Sequence, residues 1–192
     1  MSKTANIVWY AAWISACFTL GMLLARAESF SGNLLVRPSW THEKDGATTA
    51  SESFPSSLLS WTFASGTGTN EMNQIWVSRR SLTNSASETI DLDGGVTNSF
   101  GTQLDFAEVR LVFISAASTN TAALNVGGAA ANAFSTWLGD ASDVVSIRPG
   151  GVLMVVGPDD TAYTVSTNGN LKIQNSGTGN ATYDIYIGGS DQ

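Results

Sequence analysis

Residues 139–158, GDASDVVSIRPGGVLMVVGP, constrain this chain more than any other stretch. A polar turn with Asp140, Ser142 and Asp143 runs into the apolar segment Val144 to Ile147. Pro149-Gly150-Gly151 breaks the chain, and Val152-Leu153-Met154-Val155-Val156 follows before Gly157-Pro158 breaks it again. Five apolar, largely β-branched residues between breakers read as a strand covered on both faces. A helix so short does not repay its nucleation. These two segments are expected to form the central hairpin of an all-β domain.

The rest of the chain agrees with strands. Of 192 residues only 13% are charged, and 19 are glycine; a helical protein of this size carries more Glu, Lys and Leu. The length suits one domain with a real core. The net charge is -7, and the basic residues are scattered, so no basic patch marks a nucleic-acid or anionic-membrane surface. Cys17 is the one cysteine and His42 the one histidine. A disulfide framework, a thiol nucleophile and ordinary zinc sites are excluded, as is Ser-His-Asp chemistry unless His42 is its base. His42 lies in a polar stretch without spaced partners and reads as a solvated loop residue.

Taken in order, residues 1–27 form a hydrophobic leader: Lys3, an apolar run from Ile7 to Leu24, and Ala25-Arg26-Ala27 in a small-x-small pattern. It reads as a signal peptide or an anchor, or else the chain proper starts at Met22. Residues 28–192 are the expected domain. Residues 31–40 read as a strand with Pro38 at an edge or bulge, and 41–55 as a polar loop. Residues 57–64 alternate, with Leu59, Trp61 and Phe63 on one side. In residues 74–80, Ile75 and Val77 face one way and Trp76 the other, and Arg79-Arg80 read as partners of surface acids. Residues 89–92 form a short strand ending in the turn Asp93-Gly94-Gly95. Residues 107–115 form a strong strand with Val109, Leu111 and Phe113 on one face. On its other face Glu108 and Arg110 mark a wet start, and Val112 and Ile114 a buried end. Phe134, Trp137 and Leu138 read as a packed loop over one end of the domain.

Residues 161–165, 171–174 and 181–187 complete a meander, joined through Asn168-Gly169 and the turn at 175–179. Asn180-Ala181-Thr182 is a glycosylation sequon, meaningful only in a eukaryotic secretory route. Many short strands with Gly/Asn turns predict a single antiparallel β-sandwich, jelly-roll-like in preference to immunoglobulin-like, since no Cys-Trp-Cys signature is present.

Several pieces, in this order, carry a family resemblance: Gly66-Thr67-Gly68-Thr69-Asn70 with Ile75-Trp76, and Asp91-Leu92-Asp93-Gly94-Gly95. Val126-Gly127-Gly128-Ala129-Ala130, Trp137-Leu138-Gly139-Asp140, Ile147-Arg148-Pro149-Gly150-Gly151 and Thr182-Tyr183-Asp184-Ile185 follow. From about Ser31 onward the chain resembles small proteins encoded in tailed-bacteriophage genomes. The resemblance implies a structural, virion-associated role, and it assigns no residue a function. The apolar leader departs from that pattern.

The expectation is therefore a non-enzymatic particle component, capsid-decorating or tail-associated, that binds itself and other virion proteins. Trp76, Trp137 and Tyr186 are the candidate interface anchors, and each equally suits the core of a monomer. The alternative is a secreted or membrane-anchored module that stacks a glycan on an aromatic such as Trp40 or Trp61. It would be favoured by an exposed aromatic beside Asp, Asn and Gln, and membrane contact would come only through residues 1–27. No cofactor, metal or catalytic residue is expected: the acid pairs Asp91/Asp93 and Asp159/Asp160 read as turn residues.

Overall fold

Alternation of side chains along short β-rich segments decides the architecture. The computed structural model describes residues 29–37, 40–44, 50–54 and 58–192, with the backbone alone for 40–44 and 50–54; the leader expected at 1–27 lies outside the described residues. The strands in chain order are β1 (Gly32–Val36), β2 (Trp40–Lys44), β3 (Ala50–Phe54), β4 (Leu59–Ser65), β5 (Glu71–Met72), β6 (Gln74–Leu82), β7 (Ser87–Asp91) and β8 (Asp93–Thr97). They continue with β9 (Gln103–Asp105), β10 (Glu108–Ala116), β11 (Leu124–Gly127), β12 (Val144–Ile147), β13 (Val152–Val156), β14 (Tyr163–Thr164), β15 (Asn170–Asn175) and β16 (Ala181–Ser190).

Two antiparallel sheets form the sandwich. The larger has the order β13-β10-β16-β6, with β14 also on β10, and the smaller has the order β12-β11-β15-β7. The pairs nest: β6 with β16, β7 with β15, β10 with β13, β11 with β12. The chain from β6 to β16 is thus a long double ribbon, wound so that β10 also meets β16 and β11 also meets β15. Successive arms fall in opposite sheets, which is jelly-roll wrapping. Between the sheets, Val112, Ile114, Tyr183, Ile185 and Ile187 pack against Ile90, Leu124, Val126, Leu171 and Ile173, all buried. Each such side chain contributes about 1.5–3 kcal/mol by leaving water.

Several sequence expectations are corrected. Residues 144–147 and 152–156 are strands but not a hairpin: β12 pairs with β11 and β13 with β10, in different sheets. The Gly151 N–H donates to the Arg148 carbonyl at 2.8 Å, and Gly150 has φ +75°. With Pro149 ahead of it this is a type II turn, and here it swings the chain from one sheet to the other. Nor is β13 covered on both faces; it is an edge strand whose Val152 is exposed. The meander is likewise replaced: β14 and β16 lie in the large sheet while β15 lies in the small one. Residues 41–55 are not simply a loop, since β2 and β3 pair antiparallel from Trp40↔Phe54 to Lys44↔Ala50.

The strand at 108–116 departs most. Its register with β16 shifts between Val109 and Leu111, so Arg110 is the extra residue of a β-bulge. The shift puts Val109 on the same buried face as Val112 and Ile114, and Arg110, expected to be wet, is fully buried. Its Nη1 donates to Ser190 Oγ (2.6 Å), its Nη2 to the Thr67 carbonyl (2.6 Å) and to Glu108 Oε2 (2.8 Å). Its Nε reaches the Asp159 carbonyl at 3.3 Å. One guanidinium thereby ties the 66–70 loop, the 158–162 turn and the C-terminal strand together.

A second polar cluster closes the side between β6 and β7. Arg80 Nε donates to Glu88 Oε2 (2.9 Å), and the Tyr183 hydroxyl donates to Glu88 Oε1 (2.6 Å). Burial, then the adjacent Glu88 carboxylate, pushes the Tyr183 hydroxyl far above its usual range, so it stays protonated as a donor.

Candidate interaction face

The outward face of the large sheet is the feature a sandwich core does not need. In register across four strands stand Met154, Phe113, Tyr186 and Val77. Phe113 and Tyr186 meet edge to face, centroids 5.6 Å apart at 81°, the arrangement the ring quadrupoles favour. The adjoining row, Val156, Leu111, Gly188 and Ile75, is apolar too. At the other end Arg79 grips Asp184 with both arms, Nε to Oδ1 at 2.7 Å and Nη2 to Oδ2 at 2.9 Å. That guanidinium holds the Asp184 carboxyl below its ordinary range.

This face exists because β10 and β13 are apolar at both parities, so one set of side chains must point away from the core. The small sheet β1-β4-β5 shields part of it. Phe63 and Met72 are buried there, and Phe30 and Leu34 line a groove of about 500 Å³ that runs to Phe113 and Tyr186. Tyr186 at the groove's rim, and Val77 and Val152 beyond it, stay exposed.

The three sequence-predicted anchors are not brought together. Trp76 is 7% exposed and belongs to the core. Trp137 is half-buried against that core, its Nε1 donating to the Phe134 carbonyl at 3.1 Å. Tyr186 stands on the outer face at 39% exposure. Its neighbours Phe113, Met154 and Val77 complete the row, and their sequence signal is the apolar residues at both parities of 111–114 and 152–156 together with Ile75 and Val77.

Asp159 serves a turn, whereas the turn expected at Asp93-Gly94-Gly95 is strand: Asp91 ends β7 and Asp93 opens β8, whose register with β9 shifts between Asp93 and Val96. Asp91 Oδ1 accepts from the Asp93 N–H (2.9 Å). Asp159 Oδ1 accepts from the Ala162 N–H (2.7 Å) and from both the N–H and hydroxyl of Thr161 (2.9 Å each), which lowers its pKa. Among the described residues no group of three or more His, Cys, Asp or Glu is placed to hold a metal, and no helix is long and apolar enough to cross a membrane.

Asp105 differs from the other acids: desolvation, then a shared hydrogen bond with Asp93 and the charges of Asp93, Asp191 and Asp91, raise its pKa. It ionises less readily folded than unfolded. Its contribution to stability is therefore full below the unfolded pKa and is lost as pH rises through the folded one. Asp105→Asn is expected to raise the melting temperature at pH 7, and the gain should vanish towards pH 3. Melting curves of both proteins across that range check it; a gain independent of pH would refute the cause.

No protein-family model matches the chain, and no curated protein does. Among solved structures, a mutant of the unassembled Washington University polyomavirus VP1 pentamer aligns over 86% of this chain and 93% of its own, at 11% identity and a TM-score of 0.13. A likeness that slight carries no argument. The fold and face define an all-β jelly-roll sandwich with an apolar outer sheet.

Proposed function

We propose that the protein is a non-enzymatic structural component of a bacteriophage particle, capsid-associated or tail-associated, that works by self-association and contact with other virion subunits. Jelly rolls recur in viral capsid domains and also in lectins, so the fold supports the reading only by analogy. The observation that carries it is the apolar row Met154, Phe113, Tyr186 and Val77 on an outward sheet face, rimmed by Arg79 and Asp184. Val77 and Tyr186 of that row are exposed and Met154 and Phe113 half-buried, and apolar surface left open on a sheet face marks contact with another molecule. Quantitative mass spectrometry of purified particles of the encoding phage tests the reading. The chain is expected there in fixed ratio to a major particle protein, and its absence overturns the proposal.

One observation favours the second reading, a glycan-binding module. Phe100, at the tip between β8 and β9, is 82% exposed beside a recess lined by Asn73, Gln74 and Asn98. Those amides are already engaged: Asn73 Nδ2 with Asp191, Gln74 Oε1 with the Asp105 N–H, and Asn98 Oδ1 with the N–H groups of Phe100 and Thr102. Phe100→Ala is expected to change stability by less than about 0.5 kcal/mol. Loss of retention on a glycan array in that variant would favour the second reading over the first.

A further inference from the structure

Strand edges end the sandwich on two sides, and these edges differ in charge. On one side the edges are β6 and β7, whose sequences QIWVSRRSL and SETID carry Arg79, Arg80, Glu88 and Asp91. On the other they are β12 and β13, VVSI and VLMVV, without a charged residue or a proline. Edge strands recruit further strands unless charge, proline or a bulge blocks them. The β6 and β7 edges carry charge; β13 has none of these devices.

Its hydrogen-bonding pattern fixes what it offers. The Ala116 N–H donates to the Gly151 carbonyl and the Gly157 N–H to the Arg110 carbonyl. The antiparallel alternation then turns the N–H and C=O of Leu153 and Val155 towards β10, and those of Val152, Met154 and Val156 towards the open edge. Among the described strands β13 pairs only with β10. Val152 is 54% exposed.

We propose that a second copy of this chain pairs with β13, antiparallel, about a twofold axis at Met154; this rests on the self-association reading above. Met154 would exchange both backbone hydrogen bonds with its own copy, and Val152 with the partner's Val156. Charge complementarity supports this occupant. Exposed Arg148 precedes β13, and exposed Asp159 and Asp160 follow it. Antiparallel pairing sets the leading end of each strand beside the trailing end of the other, so Arg148 approaches the partner's Asp160, whereas parallel pairing would set like charges together. Arg148 enters none of the ion pairs found among the described residues. The contact is isologous, as a twofold requires. It joins two large sheets into one and continues the apolar row of one copy into that of the other.

Light scattering of the full chain over a range of concentrations tests the pairing. Met154→Pro removes the N–H at the axis, which β10 does not use, and proline is tolerated on an edge whose N–H faces outward. Arg148→Asp leaves the backbone unchanged and sets like charges at both ends. Each variant is expected to halve the native mass, and Arg148→Asp combined with Asp160→Arg to restore it. Unchanged mass in both single variants overturns the β13 pairing while self-association stands. A wild-type chain that is monomeric at every concentration overturns both. Where Met154→Pro loses its cooperative melting transition, the charge-reversal pair decides.

Discussion

Arg110→Ala is expected to destabilise the fold by about 3–5 kcal/mol, the range for removing one partner of a buried ion pair. Glu108 loses its cation, and the Thr67 and Asp159 carbonyls and Ser190 Oγ lose a donor. A buried acceptor left without a donor keeps its full desolvation penalty. The damage should be local first: the 66–70 loop and the 158–162 turn are joined by this side chain, and the Asn70 N–H also donates to the Pro158 carbonyl at 2.8 Å. Urea midpoints give the total, and hydrogen exchange in the two loops gives the location. Arg110→Met with Glu108→Leu, which removes both charges, should lose less than Arg110→Ala alone. A single-variant loss under about 1 kcal/mol would mean that the cluster contributes no more than an exposed pair.

Arg110 also shows where reading the sequence stops. Strict alternation along residues 107–115 puts Val109, Leu111 and Phe113 on one face and leaves Arg110 beside a wet end. One extra residue in the strand reverses that phase, so Val109 joins Val112 and Ile114 in the core and the arginine goes inside. Alternation gives the period, not its phase across a bulge. Elsewhere the period sufficed: Leu171 and Ile173 are buried in β15, and Tyr183, Ile185 and Ile187 in β16, with Tyr186 outward. Strand pairing was the part that local signals misplaced. The Pro149-Gly150 turn and the Asn168-Gly169 turn both resemble hairpin punctuation, yet each carries the chain between sheets. The reason is non-local: β13 and β14 pair with β10, and β12 and β15 with β11, partners that no window around either turn contains.

The same limit applied to the candidate face. Trp76 shares its parity in β6 with Ser78 and Arg80, a polar set that suggests an outward face. Arg80 can nevertheless point towards the interior side because Glu88 neutralises it and bridges to the Tyr183 hydroxyl. With that parity inward, Ile75, Val77 and Arg79 must face out, and the apolar row around Tyr186 follows. An ion pair across two strands, invisible to periodicity, thus lets Arg80 share the parity of buried Trp76 and Leu82.

The bulge makes a second large demand, on the strand opposite. Val109 pairs with Gly189 and Leu111 with Gly188. A Cβ on Gly189 would fall well inside van der Waals contact with the Glu108 carbonyl oxygen, which is backbone and cannot rotate away, and would press on the ring of Phe106. Gly189→Ala is therefore expected to destabilise by about 3 kcal/mol, the upper range for overpacking a closed site. The loss should come from the end of β16, where the Ser190 carbonyl accepts from the Ala107 N–H and the Gly189 carbonyl from the Asn73 N–H. Amide exchange at Asn73 and Ala107 should accelerate while Ile185 and Ile187 stay protected. Measured against a parent that lacks Arg110, and is itself less stable, the same substitution should cost less, because removing the extra residue lets β10 and β16 run in one register. Equal losses with and without the bulge would show that Gly189 is constrained by something other than that close approach.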